Sequence, residues 1–332
     1  MLREYLKLTR PFNLALTGMA PVLGALSMWN VHKTSFFSLF ILFIIGCLSH
    51  IYGFVFNDYL DVKIDKKSGE LTERPLVSGA IKRKNALFFA VGSMILSWFF
   101  AFYFFSTPYN FLILISILIF ADILATIYNF ISKKMPGMDF FVAGAVFFLI
   151  IFGAAASSTI LTKFAIIVAF IGGTQVLFMN MINGGLKDID HDCVAGGKTV
   201  AVALGVKVEK GKMTTPNSFR IVAYSIAVIH LFLVFTPFIF LGVVYSAWQI
   251  IILIILSAIT LYFVTKMLTM KIFIRKNVRK NIGLHVIFMY ALAPVMMMSL
   301  NPYIGFLAFV PPIGFLISNL VLHGGVLKPE TM

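Results

Sequence analysis

Acidic residues and cysteines are both scarce in this sequence. Asp and Glu number 13 among 332 residues, against 27 Lys and Arg. Only 12% of the residues are charged and 60% are hydrophobic, whereas a soluble domain is apolar over about half of its residues. The two cysteines, Cys47 and Cys193, are too few and too far apart for a disulfide framework or a cysteine metal site. These shortages exclude an ordinary soluble domain and a small disulfide-stapled one.

Hydrophobic residues form continuous runs of about 20 residues, the length that an α-helix needs to cross about 30 Å of hydrocarbon. A transmembrane β-barrel would show short segments of alternating polarity instead. We therefore predict an all-α fold: a multi-span transmembrane helical bundle that forms one domain over residues 1–332. The predicted spans are 11–30, 36–57, 85–106, 109–131, 138–158, 161–183, 218–243, 246–268, 282–300 and 303–322. They number nine or ten, depending on whether Asn301-Pro302 separates the last two.

Positive charge is distributed unevenly along the chain. If successive spans alternate sides, the N-terminus and the loops after the second, fourth, sixth and eighth spans share one face and carry 24 of the 27 Lys and Arg. The positive-inside rule assigns this face to the cytoplasm. We predict a multi-pass protein of the cell membrane with a cytoplasmic N-terminus. Topology and attraction to anionic membrane lipids explain the net charge of +14, so a nucleic-acid partner is not expected.

Two polar loops, residues 58–84 and 184–217, are much longer than the other connections and lie on the predicted cytoplasmic face. Long loops in a compact protein are usually functional. Residues 57–65 read Asn-Asp-Tyr-Leu-Asp-Val-Lys-Ile-Asp, and residues 187–192 read Lys-Asp-Ile-Asp-His-Asp. Six of the 13 acidic residues thus fall in two short segments, each directly after a hydrophobic run. Carboxylates gathered in this way at a membrane face indicate a cation site.

Helical spacing sorts these acidic residues. Side chains that recur every four residues share one face of a helix. The residues placed together in this way are Asn57, Asp61 and Asp65, with Asp58 beside them, and Asp188 with Asp192. Asp190 points elsewhere and is expected to be solvated. Mg²⁺ is commonly bound by one or two carboxylates together with phosphate oxygens of a substrate, so two such clusters suit a diphosphate chelated by Mg²⁺. The alternative is that they are solvated interfacial acids paired with lysines.

The Asn-Asp-x-x-Asp-x-x-x-Asp string at residues 57–65 resembles the first aspartate motif of the UbiA family of intramembrane prenyltransferases. Residues 73–79, Glu-Arg-Pro-Leu-Val-Ser-Gly, look like the family's continuation Asn-Arg-Pro-Ile-Pro-Ser-Gly. Residues 187–192 and the Gly-Gly-Lys-Thr at 196–199 resemble the second motif and its downstream Gly-Lys-x-Thr. The resemblance runs from Thr9-Arg10-Pro11 to about residue 206, and the two motifs together are specific.

The resemblance implies a bundle of about nine helices around a central cavity, in which two Mg²⁺ ions hold a polyprenyl diphosphate such as geranylgeranyl or geranyl diphosphate. A lipophilic acceptor then attacks the allylic carbon. The metal-site candidates are Asn57, Asp58, Asp61, Asp65, Asp188 and Asp192. Of these, Asp61, Asp65, Asp188 and Asp192 are also catalytic candidates.

Departure of diphosphate requires cations that neutralise its charge. The candidates for contacts to the diphosphate are Arg10, Asn13, Arg74 and Lys133. Tyr128-x4-Lys133 resembles a recurring pair of the family's fourth helix, which implies a catalytic position near the diphosphate for Tyr128. Simple anchoring on the positive face is the alternative for Lys133.

Two further polar residues lie within predicted spans. A carboxylate in hydrocarbon is costly and by default functional, so Asp122 is a candidate for acceptor binding or proton acceptance, with structural pairing as the equal alternative. His50 either lines the cavity or is a hydrogen-bonded structural histidine.

The sequence departs from the family pattern at two positions. Gly185 stands where many relatives carry an additional acid, three residues before Asp188, and Glu73 replaces the usual Asn before Arg-Pro. The general base is therefore unassigned.

The leading hypothesis is an enzyme that transfers a polyprenyl group to a lipophilic acceptor in the membrane with the help of Mg²⁺. Thr9-Arg10-Pro11-x-Asn13 is similar to the start of archaeal members that build ether lipids, which favours the hydroxyl of geranylgeranylglyceryl phosphate as acceptor. An aromatic quinone precursor is the alternative.

Two rival classes are weaker. A CDP-alcohol phosphatidyltransferase needs an Asp-Gly-x-x-Ala-Arg signature, which is absent. A cation-coupled transporter needs carboxylates near the bilayer midplane, whereas 12 of the 13 acids lie in the predicted loops, termini or span edges.

Overall fold

The computed structural model describes residues 1–67, 74–108 and 110–323, so Glu73 lies outside the described residues. Apart from one short β-hairpin, the regular structure of this part of the chain is helical. It forms two compact units. The first comprises Met1–Phe130, Ala145–Ala165 and the chain from Phe309, and the second comprises Ile131–Gly144 and Ile166–Ala308. The single domain over residues 1–332 stays a prediction.

The first unit contains the N-terminal helices and the last one. These are α1 (Leu2–Leu8), α2 (Leu14–Leu26), α3 (Phe36–Lys67), α4 (Arg83–Phe105), α5 (Phe111–Ile131), most of α6 (Asp139–Ser157) and α13 (Val310–His323).

The second unit contains most of α7, which runs from Lys163 to Lys187 and is π-helical over Phe178–Gly184. Its other elements are α8 (Ile189–Ala195), α9 (Val200–Ala203), β1 (Lys207–Glu209), β2 (Lys212–Thr214), α10 (Asn217–Phe240), α11 (Ala247–Leu268), α12 (Arg275–Met297) and a 3₁₀ helix (Pro302–Phe309).

Within the described residues, nine helices are long and apolar enough to cross a membrane. This confirms the predicted multi-span helical bundle. The break at Asn301-Pro302 separates two spans, since α12 ends at Met297 and the last span covers Pro302–Leu322. The predicted span 11–30 is the exception: α2 has 13 residues, and residues 27–31 form turns. The hydrophobic pattern predicted one span over 11–30, but hydrophobicity alone does not determine that all of these residues are helical.

The first acidic motif is part of a helix and not of a loop. The predicted span ends at residue 57, whereas α3 continues to Lys67. No Gly or Pro occurs between Gly53 and Gly69, so the sequence offers the helix no strong breaker before the motif is complete. The regular spacing of the acidic side chains is therefore carried by a continuous helix.

Glycines let α2 pack closely on two neighbouring helices of the first unit. A Cβ on Gly24 would lie 2.0 Å from the carbonyl oxygen of Ile150 in α6, and one on Gly46 of α3 would lie 2.8 Å from the Cα of Gly18. Small residues allow such close backbone approach between membrane helices. Most of α2 is consequently buried, although it is shorter than a bilayer-spanning helix.

A β-hairpin, which the sequence patterns did not predict, organises the second polar loop. Its two antiparallel strands pair Lys207 with Thr214, and Gly211 lies in the turn with φ +76°. The N–H of Met213 donates to the carbonyl oxygen of Lys271 at 2.9 Å. The hairpin thus holds the segment that leads into α12.

Candidate active site

The first acid cluster begins at Asn57, whose side chain is held by α5. Its Nδ2 donates to Oδ1 of Asn129 at 3.3 Å, and Nδ2 of Asn129 donates to the carbonyl oxygen of Gly53 at 3.0 Å. Asn129 is buried. The second hydrogen bond fixes Asn129 on α3, and the first thereby orients the Asn57 amide at the start of the acidic motif.

Two predicted diphosphate-binding arginines lie directly against acids of this cluster. Nη2 of Arg10 donates to Oδ1 of Asp58. Nη1 of Arg74 donates to Oδ2 of Asp65 at 2.5 Å and lies 3.5 Å from Oδ1 of Asp58. Asp58 and Asp65 are both buried, and a buried carboxylate is tolerated when a cation is paired with it. Two predicted phosphate contacts and two predicted metal ligands thus form one charge-paired network. Asp61 is half-buried on the same helix.

His50 fixes the N-terminal segment to α3. Its Nε2 lies 2.9 Å from the carbonyl oxygen of Thr9, and its Nδ1 lies 3.0 Å from Oγ1 of Thr17. Both ring nitrogens are therefore engaged, and of the two predicted roles the structural one is supported. Asn13 begins α2, and its N–H donates to the carbonyl oxygen of Arg10 at 3.2 Å. This bond ties Asn13 to the same turn.

Asp122 is buried in α5 and is bound by a neighbouring helix. Nε1 of Trp98 in α4 donates to Oδ2 of Asp122 at 2.7 Å. Oγ1 of Thr126 donates to the backbone carbonyl of Asp122 at 2.6 Å and lies 2.5 Å from the hydroxyl of Tyr52. These contacts support structural pairing of α4 and α5. Tyr128, further along α5, is half-buried.

The second acid cluster lies at and after the end of α7. Asp188 precedes α8 and Asp192 lies within it, and the N–H of Asp192 donates to the carbonyl oxygen of Asp188 at 2.9 Å. Burial of the Asp192 carboxyl, and then the negative charge of Asp188, raise its pKa to about 6 against the opposing effect of Lys133. The carbonyl oxygen of Lys133 accepts from the N–H of Lys198 at 3.0 Å, which holds the Lys133 loop beside this cluster.

Asp190, which was predicted to be solvated, is partly exposed but also ion-paired. Nη2 of Arg275 donates to both carboxylate oxygens of Asp190, at 2.7 and 2.6 Å. Sequence reasoning missed Arg275 because its partner is 85 residues away. The only available signal was its position at the start of an apolar helix on the basic face.

Gly185 is packed closely, which explains why no acid stands there. A Cβ on Gly185 would lie 2.8 Å from the Cβ of Ala201 in α9. Before it, Asn183 in the π-helical segment is almost fully buried, and its Nδ2 lies 3.3 Å from Nδ1 of His285. The surroundings of α7 in the second unit thus exclude a larger side chain at residue 185.

The donor chemistry of both clusters fits Mg²⁺. Within the part of the chain that the structure describes, no three His, Cys, Asp or Glu side chains converge as a ready-made ligand group. Mg²⁺ does not require one, because it is commonly held by one or two carboxylates, waters and substrate phosphates. Each cluster offers hard oxygen ligands, and the assignment of a metal site to them stays a prediction.

The fold and these clusters define an integral membrane protein with nine candidate spans in the described chain and a charged, partly buried site region in each unit. A family model described as the UbiA prenyltransferase family matches residues 18–272. The chain therefore belongs to the UbiA prenyltransferase family, and it is a prenyltransferase enzyme. The resemblance drawn from the two motifs is confirmed.

Two curated relatives carry the name digeranylgeranylglyceryl phosphate synthase. The protein of Thermococcus kodakarensis is 31% identical over 222 residues, which cover 62% of this chain and 70% of the relative. The protein of Methanosarcina mazei is 28% identical over 221 residues, covering 62% and 72%.

Solved structures share the fold. A UbiA homologue from Archaeoglobus fulgidus bound to DMAPP and Mg²⁺ has a TM-score of 0.61 at 17% identity, over 87% of this chain and 99% of that one. A ligand-free UbiA homologue from Aeropyrum pernix has a TM-score of 0.62 at 14% identity, over 85% and 95%. At these identities the likeness concerns the fold alone.

Proposed function

We propose that this enzyme transfers a polyprenyl group from its diphosphate to the hydroxyl of geranylgeranylglyceryl phosphate, with Mg²⁺ as cofactor. The observation that carries the donor side is the buried network of Arg10 and Arg74 with Asp58 and Asp65, because it places guanidinium groups beside carboxylates at the end of a membrane helix. The acceptor is supported by the names of the curated relatives.

The proposal gives the oxygen ligands of Mg²⁺ to Asn57, Asp61 and Asp65 in one unit and to Asp188 and Asp192 in the other. Bound Mg²⁺ supplies positive charge that stabilises the departing diphosphate. The bound ligands DMAPP and Mg²⁺ of the Archaeoglobus fulgidus homologue support this choice of cofactor and donor.

The cationic side chains have a matching role. Arg74 and Lys133 donate to diphosphate oxygens in the proposed complex, and charge-assisted bonds of this kind are roughly twice as strong as neutral ones. Tyr128 lies near the same diphosphate in this proposal. The buried bond between Trp98 and Asp122 supports a structural role for Asp122, and the general base remains unassigned.

The proposed membrane orientation has the N-terminus and both acidic motifs on the cytoplasmic side. It is supported by the concentration of Lys and Arg in the N-terminus and in the loops of that face. A cysteine placed at exposed Lys210 of the hairpin tests it in intact cells: a membrane-impermeant maleimide should label this cysteine only after the cells are lysed.

The function is tested with purified protein in lipid nanodiscs and labelled geranylgeranyl diphosphate. Geranylgeranylglyceryl phosphate and an aromatic acid are offered as acceptors, with Mg²⁺ or with EDTA, and products are identified by mass spectrometry. We expect a prenylated glycerol ether only with Mg²⁺. Asp61→Asn should lose activity, whereas Glu209→Gln, which removes an exposed acid of β1, should keep it. Prenylation of the aromatic acceptor alone would overturn the proposed acceptor.

A further inference from the structure

Three side chains of α3 hold the segment that carries Arg10. Nε2 of His50 lies 2.9 Å from the carbonyl oxygen of Thr9, the guanidinium of Arg10 lies 5.3 Å from the ring centroid of Phe54, and Nη2 of Arg10 donates to Oδ1 of Asp58. The three positions recur every four residues and so share one face of the helix. His50 thus holds the backbone next to Arg10, Phe54 packs against its guanidinium face, and Asp58 accepts a hydrogen bond from the guanidinium.

The backbone at Arg10 is held against its own preference. Its φ of +47° lies in the left-handed region, which costs a non-glycine residue about 1–2 kcal/mol. Such a conformation persists only where the surroundings determine it, and it is frequent at functional sites. The direction of the Arg10 side chain is therefore imposed by α3.

Arg74 reaches the same carboxylate from another part of the chain. Its Nη1 lies 3.5 Å from Oδ1 of Asp58 and 2.5 Å from Oδ2 of Asp65. One oxygen of Asp58 thus lies beside two guanidinium groups. The Asp58 side chain is 5% exposed, while those of Arg10 and Arg74 are 14% and 19% exposed. The carboxylate is enclosed, whereas each guanidinium has five N–H donors and keeps part of its surface open.

Two guanidinium groups this close to each other repel, and a carboxylate between them offsets that repulsion. A pair of guanidinium groups held together matches the oxygens of a diphosphate, because the planar fork of Arg binds phosphate through two donors. A metal ion at Oδ1 of Asp58 would instead have to displace both arginines from this oxygen.

We infer that Asp58 is a positioning residue: it holds Arg10 and Arg74 together as a receptor for the diphosphate, and it is not a ligand of Mg²⁺. The inference rests on the proposed function, and it offers an alternative to the sequence-based assignment of Asp58 to the metal site. Asn57, Asp61 and Asp65 remain the proposed metal ligands of this cluster. Arg74 also contacts Asp65, so the inference for Asp58 rests on the contact of one of its oxygens with two guanidinium groups, and not on ion pairing as such.

The test uses the full chain in nanodiscs and three variants: Asp58→Asn, Asp58→Glu and Asp61→Asn. Binding of Mg²⁺ alone is followed by the shift in unfolding temperature, and binding of inorganic diphosphate at saturating Mg²⁺ is followed by calorimetry. Asp58→Asn should bind Mg²⁺ within about twofold of the wild type, since no ligand is lost, whereas Asp61→Asn should lose this binding. The affinity of Asp58→Asn for diphosphate should fall at least about tenfold, since both arginines lose their common partner.

The kinetic constants for prenyl transfer provide a second test. In Asp58→Asn the KM for the prenyl diphosphate should rise more than kcat falls, and Asp58→Glu should restore part of the affinity because it restores the charge. If Asp58→Asn does not fold, the double variant Arg10→Gln/Asp58→Asn, which leaves no uncompensated charge at this pair, replaces it and should still bind Mg²⁺.

The contrary outcomes are distinct. Loss of Mg²⁺ binding in Asp58→Asn, or in the double variant, would make Asp58 a ligand and overturn the inference. Unchanged affinity for diphosphate would overturn it as well. Failure of the wild type to bind diphosphate would overturn the proposed function, and the inference with it.

Discussion

The two acid clusters balance their charge in different ways. In the first cluster, Asp58 and Asp65 are paired directly with Arg10 and Arg74, at short distances and with little exposure. In the second, Asp192 is buried and has Asp188 as a neighbour of like charge. Lys133, His191 and Lys187, which lies 3.5 Å from Asp188, compensate only in part. The first cluster is thus stabilised before any ligand arrives, whereas the second keeps a poorly compensated carboxylate. A poorly compensated carboxylate attracts an incoming cation more strongly than a paired one.

The largest expected effect tests whether turnover requires both acid clusters. We expect Asp61→Ala and Asp192→Ala each to lower turnover by at least about 10³-fold, because each removes a proposed ligand of the ions that stabilise the leaving group. Prenyl transfer is measured in nanodiscs, with circular dichroism to show that the variants fold. Full activity in either variant would contradict a site that uses both clusters.

Removing one cation from each cluster shows how much each cation contributes to the free energy of unfolding. Arg74→Gln leaves Asp65 buried beside a neutral partner, and loss of a charged hydrogen bond there should cost on the order of 2 kcal/mol of unfolding free energy. Lys133→Gln should cost less than about 1 kcal/mol, because Lys133 is one of three cationic groups that act on the Asp192 carboxyl. Thermal unfolding in detergent without Mg²⁺ measures both. An equal loss of unfolding free energy in the two variants would show that the two clusters do not differ in how strongly a cation stabilises them.

Helix type and position follow from short-range signals, which is why these features could be predicted. Long apolar runs marked the spans, and four-residue spacing placed Asn57, Asp61 and Asp65 on one face of α3. The pairing of Asp190 with Arg275, and of Asp122 with Trp98, depends on which helices become neighbours, and no local pattern encodes that. The same holds for α2, whose burial depends on glycines such as Gly24 that fit a specific partner backbone.

The pH dependence of metal binding should come from the second cluster. The pKa of Asp192 is raised to about 6, so its carboxyl is mostly ionised at pH 7 and mostly protonated at pH 5. Because Mg²⁺ binds the carboxylate, its affinity should fall with pH below about 6, approaching tenfold per unit. The shift of unfolding temperature by Mg²⁺ between pH 5 and 8 measures this, and Asp192→Asn should flatten the profile. A wild-type profile that does not change over this range would show that Asp192 is not a ligand.

The same raised pKa has a consequence for stability. A carboxyl whose pKa is higher in the folded than in the unfolded chain opposes folding once it ionises, so its unfavourable contribution is complete above about pH 6 and disappears as pH falls below about 4. Asp192→Asn should therefore raise the unfolding temperature at pH 7.5 without Mg²⁺, although it abolishes turnover. A lower unfolding temperature would mean that the Asp192 charge is well compensated, as in the first cluster.

The packing that supports the second cluster can be tested separately from its charges. Gly185→Ala would place a methyl group 2.8 Å from that of Ala201, and since neither can rotate away, α7 and α9 must separate. Overpacking of this kind costs about 1 to 3 kcal/mol. Adding Ala201→Gly should recover part of the loss. Gly283→Ala in α12 is the matched control, because no atom lies within 4 Å of its added Cβ, and it should leave stability equal or slightly higher. Unfolding temperatures of the four proteins measure the coupling, and a stable Gly185→Ala protein would show that this contact does not fix the position of the second cluster.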